Sequence, residues 1–279
     1  MERNLISGFS VDPSGPAIFA TASLISLKPG ELINFSLSAE RWCLGFNDPQ
    51  GALGPCPDQS LAETGGRCSS CMNKSRVPPC PRCNGVTFGG PALRAGCVCF
   101  DHYVYLACYS NNLFKVGVTG VERLERRICE QGAWAAIAIA AAGGKEVRRL
   151  ETAVTRAGWP DRVRMLGLLG DSPVASQEAE QLLRSEALRI SVRLPEEKFV
   201  SDGPFIYVAD QFPLIQERPR EINPSTDPLS GKVVGMRGGY LMLEAEEQLL
   251  AVSLRNLIGR ELAERSAPIA GPVQTTLIF

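Results

Sequence analysis

Two closely spaced pairs of cysteines are the residues whose types and spacing point most directly to chemistry. Two residues separate Cys68 from Cys71 and Cys80 from Cys83, and eight residues lie between the pairs. Each pair can place two thiolates on one side of a turn, so the two pairs together can complete a tetrahedral four-cysteine zinc site. The spacing favours zinc over an iron–sulfur cluster, although redox thiols or unpaired buried cysteines would also account for it. Four protein ligands leave no open position, so the predicted role is structural.

Four further cysteines and the only histidine of the chain extend the candidate metal-ligating set, and these are Cys43, Cys56, Cys97, Cys99 and His102. They allow a second zinc site. The two close pairs could also be interleaved, with each pair serving a different metal. The segment from Cys43 to Cys99 is interrupted every few residues by Gly, Pro, Asn or Asp, so it cannot bury enough apolar surface to hold itself together. The remaining two cysteines, Cys108 and Cys129, are predicted to be core residues.

A second group of candidate functional residues lies between residues 102 and 157. Two runs rich in β-branched and aromatic residues, His102–Ala107 and Leu113–Thr119, flank an Asn-rich turn and predict two strands. A charged helix over Val121–Gln131, an apolar strand over Ala133–Ala142 and a second helix over Lys145–Ala157 follow. The predicted order of elements is therefore β-β-α-β-α.

This order, with Tyr105, Arg127 and Glu151, resembles the GIY-YIG endonuclease domain, in which a tyrosine hairpin, a helix arginine and a later helix glutamate converge. The sequence departs from the nuclease pattern at two positions. Lys115 replaces the second tyrosine of the motif, and Gln131 stands where the pattern often has a histidine.

The chain also resembles DUF2797, a zinc-containing family of unknown function, over most of its length. The residues that carry this resemblance are Tyr105-Leu-Ala, Lys115-Val-Gly-Val-Thr119, Arg127-Ile-Cys-Glu-Gln-Gly-Ala133, Arg41-Trp-Cys-Leu-Gly45 and the segment from Gly231 to Leu241. Because that family has no settled activity, the resemblance implies an architecture more than a function.

The nuclease resemblance implies a metal-dependent phosphodiesterase that acts on DNA or RNA. Glu151 would hold Mg²⁺ or Mn²⁺, which lowers the pKa of bound water or stabilises the departing oxygen. Arg127 would neutralise charge on the scissile phosphate, and Tyr105 would orient or deprotonate the attacking water. Lys115 would contact the phosphate or assist proton transfer.

Four residues are predicted to bind rather than to react. Gly117 would let a backbone or a substrate approach closely. Arg123 lies four residues before Arg127, so both would share one helix face. Thr119 and Gln131 complete the predicted binding set.

Two other function classes stay open. A catalytically silent, zinc-stapled nucleic-acid-binding or RNA-associated protein would need Arg127 and Lys115 but would be indifferent to Glu151. An enzyme acting on a small anionic ligand would use the same cleft, which Gln131 would line. For Glu151 itself, the competing interpretation is a surface carboxylate paired with Arg148 or with charges near Lys145, which contributes little stability.

The flanking regions are predicted to be scaffold. A β-hairpin is expected before residue 40, with its turn at Lys28–Glu31, and a packing helix over Val174–Ile190. A strand at Phe205–Ala209 is expected to open a C-terminal β module, in which Gly238–Tyr240 marks a bulge. We therefore predict an α+β protein with three domains, namely the β-hairpin and cysteine-rich region in residues 1–100, the GIY-YIG-like unit in 101–200 and the β module in 201–279.

Composition narrows the function classes only slightly. A hydrophobic share of 44% with 21% charged residues is ordinary for a globular protein. The formal net charge of −1 gives no global signal for nucleic acid, because nucleic-acid-binding domains are usually strongly basic. The sequence has no signal-peptide pattern and no apolar run long enough for a membrane span, so a cytoplasmic location without membrane contact is expected. In that reducing compartment ten cysteines favour metal binding over disulfides.

Overall fold

The computed structural model describes residues 3–11, 15–47, 53–63, 65–75 and 101–264 of the chain. Within these residues the protein has a mixed α+β architecture with several separate sheets, which confirms the predicted class. No helix in this part of the chain is long and apolar enough to cross a membrane.

The first three strands form a small antiparallel sheet in chain order, and these strands are β1 (Ile6–Ser10), β2 (Ala17–Ala20) and β3 (Leu24–Ser26). β4 (Leu32–Leu37) follows but does not pair with β3. The predicted hairpin with its turn at Lys28–Glu31 is therefore wrong.

The cysteine-rich region contains little regular structure in its described part. Its elements are the paired two-residue strands β5 (Phe46–Asn47) and β6 (Leu53–Gly54) and the short helix α1 (Ser69–Lys74). In its described part, the buried apolar side chains of this region are three cysteines, Cys43, Cys68 and Cys71, with Phe46 and Cys56 packed against them. A region whose core consists mainly of cysteines needs a further source of stability.

The central unit has the predicted β-β-α-β-α order. Its sheet contains β7 (Asp101–Ser110), β8 (Leu113–Gly120) and β9 (Ala135–Gly143), with β7 between the other two in antiparallel pairing. Its first two helices are α2 (Leu124–Gln131), which follows a 3₁₀ turn at Val121–Arg123, and α3 (Gly144–Arg156). Six consecutive residues of each of β7 and β9 are buried because the sheet is covered by helices, which explains their apolar runs.

Two further elements complete the central unit. The predicted packing helix forms as α4 (Ser176–Arg193), and its buried side chains recur at helical spacing. The strand β10 (Phe205–Tyr207) pairs with β9, with Phe205 opposite Ile137. This strand was expected in the C-terminal module, but its hydrogen bonds attach it to the central sheet.

The last part of the chain forms a six-stranded sheet in the order β11-β14-β13-β12-β4-β15. Its new strands are β11 (Arg220–Glu221), β12 (Leu229–Arg237), β13 (Tyr240–Ala245), β14 (Gln248–Ser253) and β15 (Leu262–Glu264). β4 thus joins this sheet from the N-terminal part of the chain, so the first and last predicted domains share a sheet. The irregularity in β12 lies between Val233 and Gly235, whereas Gly238 and Gly239 form the turn to β13.

Candidate functional site

Four cysteines come together beside helix α1. Cys43 follows β4, Cys56 follows β6, and Cys68 and Cys71 lie at the start of α1. Their sulfur atoms all lie within 4.8 Å of one another, and the Sγ atoms of Cys56 and Cys68 are 3.9 Å apart. Four sulfurs bound tetrahedrally to zinc at about 2.3 Å would be separated by about 3.8 Å. This cysteine group therefore has the ligand type, number and spacing of a four-thiolate metal site.

Backbone groups already support a thiolate at Cys43. The N–H groups of Gly45 and Cys68 donate to Cys43 Sγ at 3.3 and 3.2 Å. Hydrogen bonds of this kind favour the charged form of the sulfur. A Cβ on Gly45 would collide with the carbonyl of Gly54, so the backbone can form this arrangement only with glycine at that position.

The acid–base properties of the cysteine group are uneven. Burial raises the pKa of both Cys43 and Cys71. At Cys56 burial acts in the same direction, but hydrogen bonds with the backbone of Ser60 and Asp58 outweigh it and lower the pKa to about 7. Since metal ligation requires deprotonated sulfur, binding of a metal here would release protons and weaken in acid.

Cys68 and Cys71 share their group with cysteines that are distant in the sequence. Within the described residues their near neighbours are Cys43 and Cys56. The other predicted ligands Cys80, Cys83, Cys97 and Cys99 lie outside the described residues. His102 lies on β7 opposite Gly120 and Ala142, and it does not belong to the cysteine group found in the described part of the chain.

A second group of side chains surrounds the hydroxyl of Tyr105. This tyrosine lies on β7 directly opposite Gly117 on β8, and it is fully buried. A Cβ on Gly117 would lie 2.5 Å from Tyr105 Oη. Gly117 was predicted to admit a backbone or a substrate, but the group that closely approaches it is this tyrosine ring.

Three predicted residues act on that hydroxyl. Burial raises the pKa of Tyr105, while Arg127 and Gln131 oppose the rise and Glu151 adds to it. Arg127 and Gln131 therefore lie close enough to polarise Oη, although no described residue completes a hydrogen bond of good geometry with it. We call Tyr105, Lys115, Arg127, Gln131 and Glu151 the tyrosine cluster.

The two departures from the nuclease pattern contact each other. Lys115 Nζ donates to Gln131 Oε1 at 2.9 Å, and Tyr109 Oη donates to the same oxygen at 3.3 Å. Burial lowers the pKa of Lys115 to about 8, and the charge of Arg127 adds to this effect. The lysine thus has a neutral hydrogen-bond acceptor and no carboxylate bonded to it among the described residues.

The charged members of the tyrosine cluster also have partners outside it. Arg127 Nη1 lies 3.4 Å from an oxygen of Glu130, and its side chain is 36% exposed. Glu151 Oε2 accepts a hydrogen bond from Arg148 Nη1 at 2.7 Å. The competing interpretation of Glu151, an ion pair with Arg148, is therefore present, but the carboxylate is only 17% exposed and lies close enough to Tyr105 and Lys115 to affect both.

The other two predicted binding residues lie beside the cluster. Thr119 is buried on β8 opposite Tyr103. Arg123 is 63% exposed and lies 3.5 Å from Glu130, which also pairs with Arg126 at 3.2 Å. The structure therefore gives Arg123 an ion pair on the surface of α2.

Two charged residues near the cluster were missed from the sequence. Asp161 and Arg255 both influence the pKa of Lys115, Asp161 by raising it and Arg255 by lowering it. Asp161 follows Pro160, whose carbonyl accepts a hydrogen bond from the N–H of Val116 at 2.9 Å, so this loop lies along the outer edge of β8. Arg255 comes from the C-terminal sheet. No local pattern in the sequence connects either residue with Lys115.

Comparison with known proteins gives one family match. The model of the family described as "Protein of unknown function (DUF2797)" matches residues 30–262, which is most of the chain. No curated protein and no solved structure matches the chain. The matched range includes both the cysteine group and the tyrosine cluster.

Proposed function

The chain belongs to the DUF2797 family of proteins of unknown function, and we propose that its tyrosine cluster cleaves nucleic-acid phosphodiesters. The observation that most supports this proposal is that Arg127, Gln131 and Glu151, from two different helices, all influence the pKa of the buried Tyr105 hydroxyl, while Gln131 is also hydrogen-bonded to Lys115. A buried hydroxyl without a good hydrogen bond costs about 1–3 kcal/mol. Such a cost is often found where a polar group serves a function, and the cluster resembles that of GIY-YIG endonucleases.

Each member of the cluster has a role in this proposal. Arg127, partly exposed, would bind the phosphate and neutralise charge that develops on it. Lys115 would contact the same phosphate, because its bond to Gln131 leaves its charge uncompensated. Tyr105, whose raised pKa keeps its hydroxyl protonated, would orient the attacking water, once substrate binding gives that water access to the buried hydroxyl.

Glu151 is the residue that would hold a divalent cation. Its Oε2 accepts a hydrogen bond from Arg148 Nη1, so the cation would share this carboxylate with the arginine. Magnesium commonly binds proteins through only one or two carboxylates and keeps several waters, so a single glutamate fits this ion. The bound cation would supply an activated water or stabilise the departing oxygen.

A catalytically silent nucleic-acid-binding protein is the second candidate. Two observations favour it, namely the complete burial of Tyr105 and the ion pair that already occupies one oxygen of Glu151. In that case Lys115 and Arg127 would bind phosphate and Glu151 would serve only to position Arg148.

The deciding experiment compares the wild type with Glu151→Gln on labelled single-stranded DNA, double-stranded DNA and structured RNA. Binding and cleavage are measured with Mg²⁺, with Mn²⁺ and with chelator. Glu146→Gln is the matched control, because Glu146 lies on the same helix in an exposed ion pair with Arg149. Thermal unfolding of all variants excludes a general loss of structure.

Three outcomes separate the function classes. Metal-dependent cleavage that Glu151→Gln abolishes without weakening binding supports the nuclease. Binding without cleavage in the wild type and in both variants supports the catalytically silent nucleic-acid-binding protein. A wild type that neither binds nor cleaves contradicts both candidates and favours a small anionic ligand.

We also propose that the cysteine group holds one structural zinc ion. Its geometry supports this, and the four thiols leave no position open for a substrate. The metal content of the purified protein distinguishes zinc from iron, and an iron–sulfur cluster would in addition absorb visible light.

A further inference from the structure

The C-terminal sheet is fixed to the central unit by a buried arginine. Arg237, at the end of β12, donates from Nε to the carbonyl of Gly132 at 3.0 Å and from Nη1 to the carbonyl of Leu168 at 2.7 Å. Its guanidinium carbon lies 3.3 Å from the centre of the Trp134 ring, and the residue is 1% exposed. Burial lowers its pKa to about 9, which shows how completely the contact excludes water. The two units therefore meet in a defined geometry.

The contact continues next to the tyrosine cluster. A Cβ on Gly238 would lie 2.9 Å from the carbonyl oxygen of Gln131, so the turn between β12 and β13 packs directly on the backbone of that residue. The N–H of Leu254 donates to the carbonyl of Gly239 in the same turn at 2.9 Å. This bond attaches the 3₁₀ turn Leu254–Asn256 to the contact. The residue in the middle of that 3₁₀ turn is Arg255.

Arg255 is an exposed cation near the cluster. Within the described part of the chain it forms no ion pair and no hydrogen bond. It follows Leu254, whose N–H is bonded to the turn that packs on Gln131, and Gln131 accepts the hydrogen bond of Lys115. The charge of Arg255 also lowers the pKa of Lys115. An exposed arginine without a carboxylate partner raises the local positive potential, which an anionic ligand would relieve.

We propose that Arg255 binds a second phosphate of the substrate, adjacent in the chain to the phosphate that Lys115 and Arg127 bind. The substrate would then be a polynucleotide that crosses from the central unit to the C-terminal sheet, rather than a small phosphorylated compound. The planar guanidinium suits phosphate because it can donate two parallel hydrogen bonds. This inference rests on the proposed function of the tyrosine cluster.

The test measures affinity and its salt dependence for two ligands in the presence of chelator, so that binding is separated from cleavage. One ligand is a labelled single-stranded oligonucleotide, and the other is a dinucleotide, which has a single phosphodiester and is measured by competition. The proteins are the wild type, Arg255→Ala and the control Lys232→Ala. Lys232 lies on the same sheet at the other end of β12 from Arg237, where it faces Glu244.

We expect Arg255→Ala to weaken oligonucleotide binding about tenfold and to reduce the slope of log K against log salt by about 0.7, the value for one phosphate contact on a single strand. Dinucleotide affinity stays unchanged, and Lys232→Ala behaves as the wild type. An unchanged oligonucleotide affinity and slope would overturn the role of Arg255 while leaving the proposed function intact. An equal loss for both ligands would overturn it too, because Arg255 would then belong to the first phosphate site. A wild type that binds neither ligand would remove the proposed function as well.

Discussion

At the scale of single residues, the hydrogen bond between Lys115 and Gln131 determines the charge of the candidate site. An amide oxygen accepts this bond without neutralising the ammonium group, so the positive charge remains for a phosphate. A tyrosine and a histidine in these two positions would give a hydroxyl and an imidazole instead. With lysine and glutamine in these positions, the site instead has one cation, Lys115, whose hydrogen-bond partner is the neutral amide of Gln131.

Under the proposed function, Lys115 is expected to make the affinity for nucleic acid depend on pH. Burial lowers its pKa to about 8, Arg127 and Arg255 add to this effect, and Asp161 and Glu151 oppose it. The lysine is thus charged below about pH 8 and loses its charge as the pH rises through that value. We expect oligonucleotide affinity to fall about tenfold between about pH 7 and pH 9, as one charged hydrogen bond is lost.

Lys115→Arg is the matched variant for this measurement, because arginine remains charged throughout the range. Fluorescence anisotropy at several pH values should show a titration in the wild type and a flat profile in the variant. A titration that survives in Lys115→Arg would assign the pH dependence to another group.

At the scale of elements, α1 and the short strands β5 and β6 depend on the cysteine group. Each strand is two residues long, and the buried side chains around them are Cys43, Cys68 and Cys71. Neither strand pairing nor apolar burial of this size holds a segment together alone. The segment also joins the C-terminal sheet, since the N–H of Trp42 donates to the carbonyl of Gly259 at 2.6 Å.

We expect Cys71→Ser to lower the zinc content of the purified protein by one ion per chain and to lower the temperature of unfolding. The physical reason is that three thiolates and a hydroxyl bind zinc more weakly than four thiolates. Cys108→Ala is the control, because Cys108 is buried on β7 away from the cysteine group. Metal content is measured by elemental analysis and unfolding by calorimetry. An unchanged zinc content in Cys71→Ser would remove the cysteine group as the metal site.

At the scale of the whole molecule, the candidate site belongs to two units. The tyrosine cluster is built on the central sheet and its helices, while Arg255 lies in the 3₁₀ turn that follows β14, in the sheet that also contains β4. The two units touch where Gly238 meets the Met165 side chain and the backbone of Gln131. Because this contact adjoins the cluster, its geometry affects both stability and binding.

The two glycines of the turn between β12 and β13 test this contact. Both have positive φ, 59° at Gly238 and 78° at Gly239, but only Gly238 packs against the central unit. A Cβ at Gly239 would contact no other atom, so alanine there would cause only the backbone strain of the positive φ. We expect Gly238→Ala to lower the free energy of unfolding by about 1–3 kcal/mol more than Gly239→Ala, because the added methyl group collides with the Met165 side chain and with the backbone carbonyl of Gln131.

Denaturant unfolding measures this difference, and oligonucleotide affinity measured on the same samples shows whether the displaced Gln131 also disturbs Lys115. Equal destabilisation by the two substitutions would mean that the contact at Gly238 contributes nothing beyond backbone strain.

The sequence by itself determined the features that depend on local pattern. The β-β-α-β-α order followed from residue type and periodicity, and the helix spacing already suggested that Arg123 and Arg127 lie on one face. The short Cys-x2-Cys spacing likewise indicated a shared sulfur-rich turn at Cys68 and Cys71. These features involve residues close together in the chain.

Only the tertiary structure decided which distant segments meet. β4 pairs within the C-terminal sheet and not in the expected hairpin, and β10 pairs with the central sheet. Cys43 and Cys56 are the neighbours of Cys68 and Cys71. Arg255 is likewise distant from Lys115 in the sequence, yet its charge lowers the pKa of that lysine. Which strands pair and which cysteines come together depends on burial and on backbone hydrogen bonds between residues that are distant in the sequence. Local periodicity therefore does not indicate which of several compatible partners packs best.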